Sequence, residues 1–214
     1  MKAVVFDWDL TLWNSWDMHV WIMHRMGDSL DLPRPGLAAI AQEFSRPFLQ
    51  HLAWFFGKDE QSLRDTYVGF YRDAVSRMAN LYPEIEGMLR ALKAGGYRLA
   101  VFSDKRTSFG LSELDRTNIG DLLDYTLFLA EGRPYKPDPL GLREVMAALD
   151  VTGDETLYVG DGRQDVECAY RAGAKSGAAL WGAVDREKVL AGQPDYSWER
   201  AAQILGTLGV PACS

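Results

Sequence analysis

The feature that most constrains the fold is a short apolar run at positions 2–6, KAVVF, which ends in the segment DWDLT at positions 7–11. The run has the length of a buried strand and is too short for most helices. Because residues two apart in an extended chain point the same way, the carboxylates of Asp7 and Asp9 leave this strand side by side. They repel each other unless a cation or a shared proton compensates. A strand followed by a capped turn would also explain the segment DWDLT, since Asp and Thr favour turns.

After residue 82, strand and helix patterns alternate along the chain. The apolar runs predict strands over residues 97–102, 125–129, 156–159 and 175–179, in addition to 2–6. Between them, helical spacing predicts helices over residues 83–95, 106–118, 140–149 and 166–172. Such alternation implies a mostly parallel sheet covered on both faces, so the expected fold class is α/β with a Rossmann-like parallel sheet. The tail after Gly182 is expected to form two small helices and carries no motif.

Residues 13–81 show helical spacing and no clear strand. The pattern predicts a helix over residues 15–26, a further helical segment from 47 to 57, and a long helix over 59–79. We therefore expect two domains. An α/β core would comprise residues 1–12 plus 82–214, and residues 13–81 would form a helical domain inserted after the first strand.

Three further polar clusters end predicted strands or lie in an adjoining loop. They are Ser103 with Asp104, Lys136 in the loop 130–139, and the segment GDGRQD at 160–165. Each is weak evidence alone, because a serine before a helix is usually an N-cap and most loop lysines are solvated. Ligands of parallel α/β sheets, however, bind beyond the carboxyl ends of the strands. Together with the two acids after the first strand, these clusters predict a site at that edge.

In this order, the clusters resemble the four motifs of the haloacid dehalogenase superfamily, specifically its phosphatase branch. The segment DWDLT matches the first motif, DxDxT, and Ser103 matches the second. Lys136 matches the third motif, and Asp161 with Asp165 matches the fourth, GDxxxD. The resemblance covers the α/β part of the chain. The insert lies where the type I helical cap of this family appears.

The resemblance implies a covalent mechanism. Asp7 would attack phosphorus and carry an aspartyl phosphate. Asp9 would protonate the leaving oxygen and then deprotonate the attacking water. Mg²⁺ would be held by Asp7, the backbone carbonyl of Asp9 and Asp161, with Asp165 bound directly or through water, an oxygen set that this ion favours. The acid at position 9 disfavours the dehalogenase branch, which lacks it.

The remaining motif residues are implied to bind the phosphoryl group and the rest of the substrate. Ser103, with the amide groups of the helix behind it, would bind phosphate oxygens. Lys136 would neutralise charge on the nucleophile and the phosphoryl group. Asp104 and the bulky Trp8 are further candidates for substrate contact.

Two residues of the first motif need separate comment. Thr11 would orient the loop by a hydrogen bond. Leu10 departs from the family, whose phosphatases usually carry Gly where the chain turns away from the strand, and it suggests a different turn or a packed side chain. The departure removes no catalytic group.

These expectations define a Mg²⁺-dependent phosphomonoesterase that acts on a small phosphorylated metabolite, most similar to the phosphoglycolate phosphatase group. Other functions stay open. A sugar phosphomutase would pass the phosphoryl group to a second hydroxyl, and a phosphoprotein phosphatase would need a cap that opens widely. A phosphonate-cleaving relative would need a lysine in the insert, where Lys58 is the sole candidate. A non-catalytic binding protein would be expected to lack a charged motif residue, and none is missing.

Composition narrows the classes of partner and compartment. The net charge of −7 argues against broad binding to nucleic acid or anionic membranes. Cys168 and Cys213 lack metal-ligand spacing, and we expect no disulfide framework. Acids interrupt the N-terminal apolar run, which argues against a signal peptide, and the sequence has no apolar stretch long enough to span a bilayer. We expect a cytoplasmic protein, monomer or homodimer, whose partner is its small phosphorylated substrate.

Overall fold

A computed structural model describes residues 1–44, 46–57, 60–130 and 132–211. Lys58, Cys213 and the first residue of the long helix predicted over 59–79 lie outside the described residues. The described chain forms two compact units, one of Met1–Trp13 with Leu81–Ser214 and one of Asn14–Asn80.

The sheet of the larger unit is built around the first strand. The strands of the described chain are β1 (Ala3–Phe6), β2 (Trp13–Asn14), β3 (Asn80–Leu81), β4 (Arg98–Arg106), β5 (Tyr125–Leu129), β6 (Thr156–Gly160), β7 (Lys175–Ala179) and β8 (Tyr196–Trp198). Six of them form one sheet in the order β5-β4-β1-β6-β7-β8, and every pairing in it is parallel. The carboxyl ends of these strands therefore meet at one edge.

Helices cover the sheet and build the second unit. They are α1 (Trp16–Ser29), α2 (Leu37–Glu43), α3 (Phe48–Phe56), α4 (Glu60–Met78), α5 (Ile85–Ala94), α6 (Thr107–Leu114), α7 (Leu140–Ala148), α8 (Arg163–Ala172), α9 (Arg186–Leu190) and α10 (Gln203–Thr207). In the described part of the chain, no helix combines the length and apolar character needed to cross a bilayer.

The core of the larger unit explains why its strands are continuous apolar runs. Ala3 and Val5 of β1 pack in a buried cluster with Leu142 of α7. Val4 and Phe6 point to the opposite face of the sheet and are equally buried. A strand covered on both faces has no solvent side, so its sequence does not alternate between apolar and polar residues. The α/β class with a parallel sheet is thus confirmed.

Two predicted segments of this unit are corrected. The strand predicted over residues 97–102 is β4, which continues to Arg106. Its pairing with β5 shifts register after Ser103. The tail contains a strand, β8, where only helices were expected. This edge strand has three residues, too few for a periodic signal. Asp195 just before it accepts hydrogen bonds from the backbone N–H and the hydroxyl of Ser176, which fixes its position on β7.

In the second unit, α4 packs against both α1 and α3. Trp21 meets Phe70 edge to face with ring centroids 6.1 Å apart. His19 and His51 are buried, with their Nε2 atoms 3.2 Å apart, and His51 Nδ1 donates to the backbone carbonyl of Glu43 at 2.9 Å. The two histidines therefore belong to the core of this unit, and the pair of Trp21 and Phe70 is half-buried beside solvent.

Candidate active site

The candidate site lies at the carboxyl ends of the three central strands. Asp7 directly follows β1, Asp161 directly follows β6, and Ser103 lies in the last part of β4. The backbone N–H of Asp7 donates to the carbonyl of Val159 at 2.8 Å, so β1 and β6 stay paired up to the first acid. The fold thus brings three predicted site residues from distant parts of the chain to one edge.

Three carboxylates form a compact cluster at this edge. The acids are Asp7, Asp161 and Asp165, and each offers an oxygen within 4.8 Å of the others. All three are buried, with residue exposures of 6, 7 and 1%. Lys136 Nζ lies 2.6 Å from Asp165 Oδ1 and 3.0 Å from Asp7 Oδ1. Three buried carboxylates and one contacting ammonium leave an excess of negative charge, which a hard divalent cation with oxygen ligands would balance, so this donor set fits Mg²⁺.

The electrostatics of the cluster agree with that fit. Burial raises the pKa of Asp7 to about 7, Lys136 opposes this shift and Asp165 adds to it. Burial, followed by repulsion from the other two acids, raises the pKa of Asp161 well above its ordinary value. Burial alone would lower the pKa of Lys136, but attraction from Asp165 and Asp7 outweighs it and holds that pKa well above the usual range. The lysine therefore stays charged, and in the absence of a cation the acids compete for protons.

Lys136 is held from two sides. The hydroxyl of Tyr158 on β6 accepts a hydrogen bond from Lys136 Nζ at 3.2 Å and donates to the carbonyl of Phe102 at 2.9 Å. The carboxylate of Asp104 accepts from the backbone N–H of Lys136 at 3.0 Å. Asp104 thus fixes the loop that carries the lysine, while its role as a substrate contact stays a prediction. Nothing in the sequence pattern marked Tyr158 as a site residue, because it is one residue in a buried apolar run.

The segment GDGRQD places Asp165 through backbone contacts. The N–H of Gly162 donates to Asp165 Oδ2 at 2.9 Å, which closes the turn between β6 and α8. A Cβ at Gly160 would lie 2.2 Å from the carboxyl carbon of Asp165, so only glycine leaves room for that group. The last residue of the strand and the first turn of the helix together aim both acids of the motif at the cluster.

A tight turn after β1 carries the first motif. The carbonyl of Trp8 accepts from the N–H of Trp13 at 2.8 Å. Leu10 has a φ of 58°, the left-handed region that favours glycine, and its side chain is fully buried. Burial of an apolar side chain offsets the backbone strain, which explains how leucine replaces the usual glycine. The hydroxyl of Thr11 donates to Asp161 Oδ1 at 3.3 Å and ties the turn to β6.

Gly182 lies against this turn, and its replacement tests the packing. A Cβ at Gly182 would lie 1.7 Å from the carbonyl oxygen of Leu10. We expect Gly182→Ala to lower the free energy of unfolding by about 2–3 kcal/mol because the backbone must move. Urea denaturation measures this loss. Gly206→Ala is the matched control, because nothing lies within 4 Å of a Cβ there. An equal effect of the two substitutions would contradict the close approach.

Asp9 has a partner outside the acid cluster. Lys105 Nζ lies 2.9 and 3.1 Å from the two carboxylate oxygens of Asp9, and 2.8 Å from Glu113 Oε2. Glu113 is on α6 and fully buried, and Trp8 Nε1 donates to the same Oε2 at 2.7 Å. Burial raises the pKa of Glu113, and the charge of Lys105 opposes that shift. Coordination by the backbone carbonyl of Asp9 stays a prediction.

The prediction that Trp8 contacts substrate does not agree with its position. Its side chain is fully buried and stacks on Trp13 with ring centroids 5.8 Å apart. An enclosed indole has no surface to offer a ligand. Sequence analysis did not identify Lys105 or Glu113 as site residues. The one available signal was an acid on the buried face of α6, beside Leu114.

Ser103 is buried beside the nucleophile candidate. Its hydroxyl hydrogen-bonds Asp7, which lowers the pKa of that acid against the effect of burial. The oxygen of Ser103 also accepts from the N–H of Lys105 at 3.3 Å. Strand β4 continues past Ser103 to Arg106, and helix α6 begins at Thr107, one residue after its predicted start. Its first amide groups are therefore not adjacent to the serine in the chain.

The fold and these side chains define a class of α/β protein with a parallel sheet and a buried acidic cluster at the carboxyl ends of its strands. A family model described as haloacid dehalogenase-like hydrolase matches residues 4–179. The chain belongs to this family.

Curated relatives of the chain include phosphoglycolate phosphatases and a pyrophosphatase. The phosphoglycolate phosphatase of Vibrio vulnificus (strain YJ016) is 29% identical over 149 residues, which cover 70% of this chain and 65% of that protein. The phosphoglycolate phosphatase of Aquifex aeolicus (strain VF5) is 33% identical over 124 residues, or 58% of this chain and 57% of that protein. A pyrophosphatase of Bacillus velezensis is 28% identical, with 67% of each chain covered. The chain spans less than two-thirds of the length of the first two.

Solved structures share the fold over almost the whole chain. A predicted phosphoglycolate phosphatase from Haemophilus somnus 129pt has a TM-score of 0.88 at 23% identity, with 97% of this chain and 98% of that chain covered. A haloacid dehalogenase-like family hydrolase from Streptococcus pneumoniae has a TM-score of 0.87 at 22% identity, with the same coverage. At these identities the likeness is one of fold.

Proposed function

We propose that the protein is a Mg²⁺-dependent phosphatase that hydrolyses a small phosphorylated metabolite through an aspartyl phosphate on Asp7. The observation that carries this proposal is the buried cluster of Asp7, Asp161 and Asp165 in contact with Lys136. The names of the phosphoglycolate phosphatase relatives support the reaction class. The assignment of residues 13–81 as a cap domain stays part of this proposal.

The reaction has two displacement steps at one phosphorus atom. In the first, an oxygen of Asp7 bonds to phosphorus as the bond to the leaving oxygen breaks, and Asp9 gives that oxygen a proton. In the second step, a water molecule attacks the same phosphorus, and Asp9 takes a proton from that water. The bond between phosphorus and Asp7 then breaks, which releases phosphate and restores both side chains.

The surrounding groups balance charge and orient the phosphoryl group. Asp7, Asp161 and Asp165 would hold Mg²⁺, which when bound would offset the charge that repels the nucleophile. Lys136 supplies a fixed positive charge beside Asp7. Ser103, on β4, supplies a hydroxyl group that can donate to the phosphoryl group. Because Tyr158 and Asp104 fix the lysine, its ammonium needs no rearrangement before the reaction.

The proposal predicts turnover that depends on a divalent cation. Phosphate release from p-nitrophenyl phosphate and from a panel of phosphorylated metabolites is measured with Mg²⁺ and with EDTA. We expect activity with Mg²⁺ and none with EDTA. Because the ion balances buried charge, Mg²⁺ should also raise the melting temperature. At a free Mg²⁺ concentration one hundred times Kd, the free energy of unfolding should increase by about 2.7 kcal/mol.

Asp161→Asn is the control for the metal site. It keeps the size of the side chain and removes one ligand charge, so the Mg²⁺-dependent rise in melting temperature should shrink with it. Pyrophosphate belongs in the panel because one relative is named a pyrophosphatase. A folded wild type that binds Mg²⁺ and releases phosphate from no compound would contradict the phosphatase proposal. A phosphoryl group that moves to a sugar hydroxyl would favour a mutase.

A further inference from the structure

Asp9 belongs to a second charged network, whose other members, Lys105 and Glu113, have no role in the mechanism above. We propose that Lys105 is a positioning residue for Asp9, and that Glu113 and Trp8 hold Lys105 in place. This inference rests on the proposed function, because it assigns Asp9 the two proton transfers. The ammonium of Lys105 contacts both oxygens of Asp9, at 2.9 and 3.1 Å, and Glu113 Oε2 at 2.8 Å.

The burial of Glu113 shows that the network is anchored in the core. Its side chain is completely buried, whereas that of Lys105 is 9% exposed and that of Asp9 is 25% exposed. Burying a carboxylate removes its hydration, which destabilises the fold unless a counter-ion and hydrogen bonds compensate. Lys105 supplies the counter-ion and the indole N–H of Trp8 supplies a hydrogen bond of 2.7 Å. Lys105 therefore links the buried carboxylate of Glu113 to the partly exposed carboxylate of Asp9.

This arrangement restricts the side chain of Asp9. The carboxylate follows the strand on a turn and reaches solvent, so without a partner it could rotate away from the reacting atoms. A cation that contacts both oxygens fixes its rotamer, and one of the two contacts is enough to keep it there. The other oxygen can then exchange a proton with the leaving oxygen. A fixed orientation contributes to rate because it removes freedom that would otherwise be lost in the transition state.

The test compares two phenyl esters that differ in leaving group. Phenyl phosphate releases a phenol with a pKa of about 10 and depends on acid assistance, whereas p-nitrophenyl phosphate releases a more acidic phenol and needs less. We expect Lys105→Met to lower kcat/KM for phenyl phosphate by about 10- to 100-fold. For p-nitrophenyl phosphate the loss should be about 3-fold or less. Lys105→Arg, which keeps a donor and a charge, should recover part of the loss.

A double-mutant cycle shows whether Lys105 acts through Asp9. Asp9→Asn alone should show the same leaving-group pattern with a larger loss. If Lys105 only positions this acid, adding Lys105→Met to Asp9→Asn should cause almost no further loss of kcat/KM. A general structural role would instead give losses that multiply.

Further variants guard against misfolding. Lys105→Met leaves Glu113 buried without its counter-ion, which could unfold the protein. The double variant Lys105→Met/Glu113→Gln removes both charges, keeps the side-chain volumes and leaves an acceptor for the indole of Trp8. We expect it to fold and to show the same leaving-group pattern. Lys93→Met is the matched control. Lys93 Nζ lies 2.6 Å from Asp124 Oδ1, and Asp124 precedes β5, at the amino end of that strand and not at the carboxyl ends where the site lies.

Each result decides between outcomes. Equal losses on the two esters, multiplicative losses in the Asp9→Asn background, or a gain in activity would overturn the positioning role while leaving the phosphatase proposal intact. A wild type that hydrolyses neither ester nor any member of the metabolite panel would refute the proposed function and this inference with it. A selective loss on phenyl phosphate that disappears in the Asp9→Asn background supports both.

Discussion

Asp7→Asn is expected to lower kcat by roughly 10⁴-fold or more, because the amide cannot replace the carboxylate that bonds to phosphorus. Phosphate release from p-nitrophenyl phosphate with saturating Mg²⁺ measures the loss. Wild-type protein quenched with acid during turnover should carry one phosphoryl group on Asp7, which intact-mass measurement and peptide mapping detect. The variant should carry none.

The same substitution should not damage the fold. Asparagine has the size of aspartate, and the change removes one of three like charges from a buried cluster. The pKa of Asp7 is raised to about 7, so the ionised side chain destabilises the metal-free protein, increasingly as the pH rises from about 4 to 7. Metal-free Asp7→Asn should therefore melt at the same temperature as the wild type, or higher, at neutral pH.

A surface acid provides the control for this prediction. Asp154 is exposed and lies just before β6, at the opposite end of that strand from the acid cluster. Asp154→Asn should retain full activity. Turnover of Asp7→Asn within about 10-fold of the wild type would exclude the covalent mechanism, since no such rate survives loss of a nucleophile.

The architecture could be predicted because each of its main strands and helices has a sequence pattern typical of that element. Buried parallel strands such as β6 are apolar throughout, and helices such as α5 begin after a proline and end before paired glycines. Strand β8 could not be predicted this way. It pairs only at the edge of the sheet and depends on Asp195, whose contact with Ser176 is formed by the folded chain.

The site shows the same division between local and long-range information. Asp7 and Asp161 could be placed from the sequence because each directly follows a strand, and parallel strands end at one edge. Glu113 could not, because its partners Lys105 and Trp8 lie on other elements. Trp8 was assigned to the substrate from its size and its place beside the nucleophile. The direction of its side chain depends on the turn that follows β1, and the sequence alone does not predict the geometry of that turn.

Lys136 is expected to be required for both stability and rate. Its side chain is 2% exposed, and its ammonium contacts Asp165 and Asp7. Loss of one partner of a buried ion pair costs about 3–5 kcal/mol, because the remaining charge is left uncompensated. The pKa of Lys136 is raised, so its stabilising effect is fully present below about pH 10 and is lost only as the pH rises through the folded-state value.

Lys136→Met should therefore lower the melting temperature strongly with EDTA and less with Mg²⁺, since a bound cation offsets part of the charge. With Mg²⁺ its kcat should fall by about 10²- to 10³-fold, the usual effect of losing one fixed group that stabilises transition-state charge. Lys175→Met is the control, because Lys175 pairs with Asp195 at the surface, where solvent screens the interaction and its loss costs little. Lys136→Met/Asp165→Asn restores the net charge of the wild-type cluster by removing one ammonium and one carboxylate, so the melting temperature should recover while turnover stays low. Recovery of both would mean that Lys136 serves the fold alone.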